Sequence, residues 1–134
     1  MIRPMTPTDR PAVRRLQDRL AYADPDLVAA AVGGPFLGRV AVGDGRIVGY
    51  AIALPARPVT LSELVVAPSA RRNGHGRALV ESVGSADADR IVATTPVENG
   101  AALRFYEALG FDTETRLRGF YDDGADALRL VRRE

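Results

Sequence analysis

The residues best suited to chemistry lie where a short apolar strand runs into a glycine-bearing turn. Leu64, Val65 and Val66 close the strand, and the turn reads Arg71-Arg72-Asn73-Gly74-His75-Gly76-Arg77. A predicted helix begins in this turn, so unpaired N–H groups and the positive end of the helix dipole face it. Glycines at 74 and 76 allow close backbone approach to a ligand. The segment predicts a phosphate or pyrophosphate site, and a plain glycine turn with two solvated arginines is the alternative.

The residue types that are missing exclude several kinds of site. The chain has no cysteine, which excludes disulfides, thiolate metal sites and a cysteine nucleophile. His75 is its only histidine, so a multi-histidine metal centre is impossible and we expect no metal. All 18 basic residues are arginine, which excludes a Schiff-base lysine and a Walker A lysine.

A second segment, one predicted strand downstream, makes the functional interpretation of the glycine turn more specific. It reads Asn99-Gly100-Ala101-Ala102-Leu103-Arg104-Phe105-Tyr106-Glu107-Ala108-Leu109-Gly110-Phe111. Together the two segments resemble the GNAT superfamily of acyl-CoA-dependent N-acyltransferases. The matching motifs are Arg71-x-x-Gly74-x-Gly76 and Asn99-x-x-Ala102-x-x-Phe105-Tyr106-x-x-x-Gly110-Phe111. The opening Ile2-Arg3-Pro4 and the order of elements are similar too, so the resemblance covers nearly the whole chain.

The resemblance implies that acetyl-CoA is the cofactor, with coenzyme A as product. In this family the strand before the turn separates from its parallel neighbour and binds pantetheine, and the turn holds the pyrophosphate. The implied cofactor-binding residues are Leu64, Val65, Val66, Arg71, Arg72, Asn73, Gly74, His75, Gly76, Arg77, Asn99 and Tyr106. We expect His75 to lie in solvent or beside the phosphate rather than to act in catalysis, and Asn99 is also a good helix N-cap.

Tyr106 is the candidate general acid. The resemblance implies that the tyrosine at this motif position protonates the departing thiolate of coenzyme A. A phenol with an ordinary pKa of about 10 is protonated at neutral pH and is able to donate a proton. The alternative is a core aromatic, because Tyr106 shares a helix face with Ala102, Leu103 and Leu109.

Glu63 is the nearest acidic candidate for the general base that must deprotonate an alkyl amine near neutral pH. Family members often carry an acidic residue near this place. Side chains alternate along a strand, and a bulge would turn Glu63 to either face. Glu63 is therefore either a catalytic base or a structural or substrate-orienting charge.

The acceptor is the least determined part of the prediction. Tyr22, Glu63 and Tyr121 are the candidate substrate contacts, because in this family the acceptor lies against the segment after the first helix and the loop before the last strand. The resemblance implies an N-acetyltransferase that acts on a peptide or protein amine or a small cationic amine. Because the chain has no cysteine to form an acyl-enzyme, we expect direct attack by the amine in a ternary complex. A non-catalytic acyl-CoA-binding sensor is the alternative.

The elements that must position these residues alternate between helix and strand. The pattern predicts a first helix that follows the cap-like Thr8-Asp9-Arg10-Pro11 and ends near Tyr22, and a second helix over 25–32. Strands over 38–42, 46–54 and 59–66 follow. The whole chain, 1–134, predicts one α+β (α/β) domain. The resemblance implies a mixed, mostly antiparallel sheet of six to seven strands, about four helices and a splayed central parallel pair.

Charge and hydropathy limit the partners. Eighteen basic against seventeen acidic residues give a net charge of +1, too balanced for a dedicated nucleic-acid binder. The uncharged stretches are too short to span a bilayer and the N-terminus lacks a signal-peptide pattern. We expect a cytoplasmic monomer or homodimer that binds neither nucleic acid nor membrane.

Overall fold

The computed structural model describes residues 1–84 and 89–134, and within them seven strands form one mixed sheet. The strands are β1 (Ile2–Pro4), β2 (Leu37–Gly43), β3 (Arg46–Leu54), β4 (Val59–Val66), β5 (Arg90–Pro96), β6 (Asp112–Leu117) and β7 (Ala127–Arg133). Their order in the sheet is β1-β2-β3-β4-β5-β7-β6. All neighbouring pairs are antiparallel except β4 and β5, which are parallel. The predicted fold class is confirmed.

Four α-helices in the described residues cover the sheet. They are α1 (Arg10–Gln17), α2 (Pro25–Gly33), α3 (His75–Val83) and α4 (Gly100–Ala108). One apolar cluster joins α1 and α2 to β2 and β3, and the other joins α3 and α4 to the opposite face. The sheet is therefore the middle layer of three, with buried side chains on both faces.

The parallel pair at the centre separates along its length. β4 pairs with β5 only through Val59, Thr60 and Leu61, opposite Ile91, Val92 and Ala93. Beyond that point β4 continues to Val66 against β3 alone, while β5 continues against β7. The splay leaves one edge of the second half of β4 without a neighbouring strand. This is the predicted opening at the centre of the sheet.

The first helix ends earlier than the sequence pattern predicts. The helix ends at Gln17 with Asp18 as its C-cap, whereas the sequence pattern predicts an end near Tyr22. Gln17 is buried and its side-chain amide donates to the backbone oxygen of Asp24, 3.0 Å away. This contact joins the end of α1 to the start of α2 and makes residues 18–24 a separate loop.

Candidate functional site

The start of α3 forms the predicted anion-binding turn. Gly74 caps the helix with a φ of +79°, and Arg72 has a φ of +68°. The first helical hydrogen bond runs from Ala78 N–H to Gly74 O at 3.0 Å. The N–H groups of the residues between them therefore point out of the helix end. They are available to bind a negatively charged oxygen, and the helix dipole favours one there.

This turn opens into a cleft of about 770 Å³ between the splayed β4 and α4. All of the predicted cofactor residues except Asn73 line it, namely Leu64, Val65, Val66, Arg71, Arg72, Gly74, His75, Gly76, Arg77, Asn99 and Tyr106. The Asn73 amide instead donates to Ala70 O at 3.3 Å, within the turn. The structure thus brings two distant sequence segments together around one space.

The lining of the cleft is strongly cationic. Five arginines contribute to it, namely Arg19, Arg71, Arg72, Arg77 and Arg104, whereas its described lining includes no aspartate or glutamate. Attraction of this kind favours a polyanionic ligand. Coenzyme A carries a pyrophosphate and a further phosphate, so the charge and the size of the cleft both fit it.

Several lining residues are not among the predicted ones, and the larger of them include Arg19, Leu20, Arg104 and Phe105. Arg104 and Phe105 lie within the second motif, so their position beside Tyr106 on the same helix was an available signal. Arg19 and Leu20 reach the cleft through the loop after α1, which no local pattern places. Phe105 also explains Gly76, because a Cβ added there would lie 3.0 Å from the Phe105 ring.

The backbone of β4 presents alternate residues to the splay. Ala67 N–H donates to Val48 O, and Tyr50 is paired with Val65. In an antiparallel ladder this places the Val65 N–H and C=O toward β3 and those of Leu64 and Val66 toward the open edge. The Val66 carbonyl accepts from Arg71 Nε at 3.3 Å. Leu64 and Val66 therefore supply the backbone groups available to a ligand, and Val65 contributes through its side chain.

Tyr106 is both buried and part of the cleft wall. Its ring packs edge-on against Phe105 and Phe111, with centroids 5.8 and 5.3 Å away. Among the described residues none hydrogen-bonds its hydroxyl. The pKa of Tyr106 is raised, foremost by burial and then by Tyr121 and Glu63. The hydroxyl is therefore a protonated donor that faces the cleft, and the core packing holds it there.

Asn99 acts as the predicted N-cap of α4. Its Oδ1 accepts from the Ala102 N–H at 3.0 Å, so the capping role is confirmed. Asn99 also lines the cleft. A cofactor contact by Asn99 stays a prediction.

Glu63 is buried beneath α1 and α2 and is not among the residues that line the cationic cleft. Ser62 is an extra residue in β4, because Ile52 pairs with Glu63 while Ala53 pairs with Leu61. This bulge places Glu63 with the α1 and α2 cluster, whereas Leu61 packs toward α3. Glu63 is 5% exposed and its carboxylate accepts three hydrogen bonds. The arrangement favours the structural alternative for Glu63 over the catalytic base.

The two predicted substrate-contact tyrosines stack on each other. The rings of Tyr22 and Tyr121 lie 3.8 Å apart at 10°. The Tyr22 hydroxyl donates to Asp123 Oδ2 at 2.7 Å, which raises the pKa of Tyr22 to about 12 and lowers that of Asp123. Phe120 packs edge-on against Tyr121 and is 52% exposed. An aromatic surface thus joins the loop after α1 to the loop before β7.

A second, polar cavity of about 320 Å³ lies beside this aromatic surface. Tyr22 and Glu98 line it, together with the Arg116–Asp126 ion pair. The cavity lies between the ends of β5 and β6 and the loops that carry the tyrosines.

A family model for the acetyltransferase (GNAT) domain matches residues 36–113, over half of the chain. The chain belongs to the GNAT acetyltransferase family. The matched region includes the cationic turn, the splayed strand and α4. The predicted family is therefore confirmed, and the matched region includes both of the motifs from which it was inferred.

Individual GNAT proteins resemble the chain over different lengths. It is 33% identical over 135 residues to the [Ribosomal protein bS18]-alanine N-acetyltransferase of Escherichia coli K12, a match that covers 92% of this chain and 90% of that protein. The crystal structure of the ribosomal-protein-S18-alanine N-acetyltransferase from Escherichia coli has a TM-score of 0.80 at 27% identity, covering 99% and 92% of the two chains. The human N-alpha-acetyltransferase 30 is 40% identical over 74 residues. That match covers 52% of this chain, and the chain spans only about a fifth of the human protein.

Two further observations on residues 1–84 and 89–134 concern metal-binding groups and membrane-spanning helices. No group of three or more acidic or histidine side chains is arranged there to hold a metal ion. No helix in these ranges is long and apolar enough to cross a membrane.

Proposed function

We propose that this chain is an N-acetyltransferase that acetylates the amine of a peptide or protein with acetyl-CoA. The observation that carries the proposal is the cationic cleft, which begins at the α3 turn and ends at Tyr106 and the open edge of β4. Its arginines and free helix N–H groups suit the phosphates, and the edge of β4 suits pantetheine. This arrangement would bring the thioester end of the cofactor beside Tyr106.

The residues around that end supply the parts that acyl transfer needs. Acetyl-CoA supplies the acetyl group and a thiolate leaving group. A backbone N–H near Val66 stabilises the tetrahedral oxyanion, and the Tyr106 hydroxyl donates its proton to the sulfur as the C–S bond breaks. The acceptor nitrogen forms the new C–N bond, and its proton leaves to water or a base.

The acceptor assignment to a peptide or protein amine has two supports. One is the exposed aromatic surface of Tyr22, Phe120 and Tyr121, which offers stacking and apolar contact to an extended chain. The other is similarity over most of the chain to an enzyme named for the N-acetylation of a ribosomal protein alanine. A small cationic amine has less support, because Asp123 is already engaged by Tyr22.

Acetyl-CoA turnover with matched amines tests the proposal. We expect free-thiol release with a peptide that starts with a free alanine, and none with the same peptide after its α-amine is blocked. A blocked peptide that contains lysine, and a polyamine, test the other amine classes. Coenzyme A binding without turnover on any amine would favour the sensor alternative, and turnover on the polyamine alone would contradict a peptide acceptor.

Steady-state kinetics test the direct attack. Because the chain has no cysteine to form an acyl-enzyme, we expect amine and acetyl-CoA to bind together before reaction. Initial-rate plots at several fixed acceptor concentrations should intersect. Parallel lines with an isolable acetylated enzyme would contradict the ternary complex.

A further inference from the structure

The buried Glu63 carboxylate binds both ends of the loop that follows α1. Its Oε1 accepts from Gln17 Nε2 at 2.9 Å, and Gln17 is the last residue of α1. Its Oε2 accepts from the Asp24 N–H at 3.1 Å, and Asp24 caps α2. The Gln17 amide also donates to Asp24 O at 3.0 Å. Three polar groups therefore close residues 18–24 into a tied loop, and we call this arrangement the Glu63 clasp.

The tied loop contributes to both sides of the site. Arg19 and Leu20 line the cationic cleft, and Tyr22 lines the polar cavity and stacks on Tyr121. Residues 18–24 form no helix or strand of their own, since α1 ends at Gln17 and α2 begins at Pro25. The hydrogen bonds of the clasp are what fix the two ends of this loop on the sheet.

We propose that Glu63 is a positioning residue that sets the acceptor site by holding the 18–24 loop, rather than the general base of the reaction. The inference rests on the proposed function for its kinetic consequence, but the loop contact itself does not depend on activity. The clasp places Tyr22 where it stacks on Tyr121, and so aligns the aromatic surface that an acceptor meets.

The surroundings of Glu63 oppose a base role. The third hydrogen bond, from the Tyr50 hydroxyl to Oε1 at 2.9 Å, leaves both oxygens engaged by donors. Neither of the two cavities includes Glu63 in its lining. A general base must come within hydrogen-bond reach of the amine or of one connecting water. Three of the roughly four lone-pair sites of the Glu63 carboxylate are occupied, and at 5% exposure the side chain has little contact with solvent.

Kinetics of Glu63→Gln and Gln17→Leu separate positioning from base catalysis. In Glu63→Gln the amide would offer one acceptor oxygen to three donors, so the clasp cannot form in full. We expect both variants to raise the acceptor KM by about tenfold with kcat within about threefold of wild type, and the double variant to add little, as for residues in one network. Coenzyme A affinity, measured by calorimetry, should fall by less than the acceptor KM rises, because Arg19 and Leu20 are only two of the residues that line the cationic cleft.

Tyr50→Phe is a matched variant on the sheet side of Glu63. It removes one hydrogen bond of the carboxylate but keeps both bonds to the loop ends. A positioning role predicts an acceptor KM raised by no more than about twofold, because the contacts that hold the loop persist.

Trypsin cleavage after Arg19 provides a readout that needs no enzyme activity. Arg19 is exposed within the tied loop, and cleavage requires the loop to open. We expect cleavage there to accelerate about tenfold in Glu63→Gln and Gln17→Leu. Leu130→Ala, a change at a buried residue on the other face of the sheet, controls for a general loss of stability. In this variant, cleavage after Arg19 should not accelerate more than cleavage after other arginines.

Failure of the inference is distinct from failure of the proposed function. A fall in kcat of about a hundredfold or more in Glu63→Gln, with acceptor KM unchanged and Gln17→Leu near wild type, would make Glu63 the base and overturn the proposal. Unchanged cleavage after Arg19 in both folded variants would overturn it as well. Wild-type protein that turns over no amine would contradict the proposed function and leave the cleavage result to decide the clasp.

Discussion

Tyr106 serves packing and chemistry with different parts of one side chain. The ring lies among Phe105, Phe111 and the buried face of α4, while the hydroxyl reaches the cleft without a protein partner in the described residues. Packing holds the hydroxyl in place without consuming the donor. Tyr106 is therefore able to be both a core aromatic and a general acid. A variant that loses only the hydroxyl tests the acid role without removing the packing role.

Tyr106→Phe should lower kcat by about a hundredfold or more and leave coenzyme A affinity nearly unchanged. The ring contacts survive in phenylalanine, and only the proton donor is lost. Thermal melts, coenzyme A titration and turnover on the same preparation check this. Turnover close to wild type in a folded variant would reduce Tyr106 to a core aromatic, provided that chemistry limits the wild-type rate.

The pH dependence of the wild-type enzyme tests the same residue independently. Burial raises the pKa of Tyr106 above its ordinary value near 10, so the donor form persists as pH rises through that value. We therefore expect kcat of the wild-type enzyme to show no decline at or below pH 10 that depends on Tyr106. A decline that depends on Tyr106 would be present in wild type and absent in Tyr106→Phe. A decline of that kind would show that the phenol titrates as an exposed tyrosine does.

At the scale of elements, local patterns placed most of the fold and part of the site. Asn99 predicts the start of α4, and Asp44-Gly45 forms the tight turn between β2 and β3, with positive φ at both residues. These features depend on residues that are neighbours in sequence. The end of α1 and the face of Glu63 do not, because contacts with Asp24 and the bulge at Ser62 decide them. The hydrophobic periodicity of a sequence does not predict contacts between residues that are far apart in the chain, so the tied loop was not predicted.

Gly74→Val tests the α3 turn as an anion site. A side chain at φ +79° is strained, and it would stand where a phosphate approaches the backbone. We expect coenzyme A affinity to fall more than about tenfold. Gly45→Val is the matched control, because Gly45 has a φ of +75° and open space around it but lies outside the cleft lining. Equal coenzyme A affinity in the two folded variants would contradict the pyrophosphate assignment.

At the scale of the whole molecule, a balanced net charge hides an uneven distribution. The chain carries +1 overall, yet five arginines surround one cleft while several acidic groups are engaged elsewhere. Asp9 is the buried example: it accepts from both Arg3 Nη atoms, at 2.8 and 3.0 Å, and from the Thr6 N–H at 2.8 Å. These bonds tie β1 to the start of α1 and lower the pKa of Asp9 to about 2, the Arg3 contact foremost.

Asp9→Asn should therefore destabilise the protein in a pH-dependent way. A depressed carboxyl pKa contributes stability above the ordinary value near 3.9, and that contribution is lost as pH falls through about 2. We expect a loss of about 1 kcal/mol in the free energy of unfolding near pH 6, discounted because the Arg3 side chain is 35% exposed.

Urea unfolding of wild type and Asp9→Asn between pH 6 and pH 2.5 measures the difference. The difference in the free energy of unfolding should shrink steadily below pH 4. As pH falls, the Asp9 carboxyl of the unfolded chain binds a proton before that of the folded chain, which removes the stability that the charged carboxyl contributes. Asp112→Asn, a change at an exposed aspartate of β6, is the control and should alter stability by less than about 0.5 kcal/mol at every pH. A constant difference between wild type and Asp9→Asn across this range would mean that Asp9 stabilises the β1–α1 junction by its shape and not by its charge.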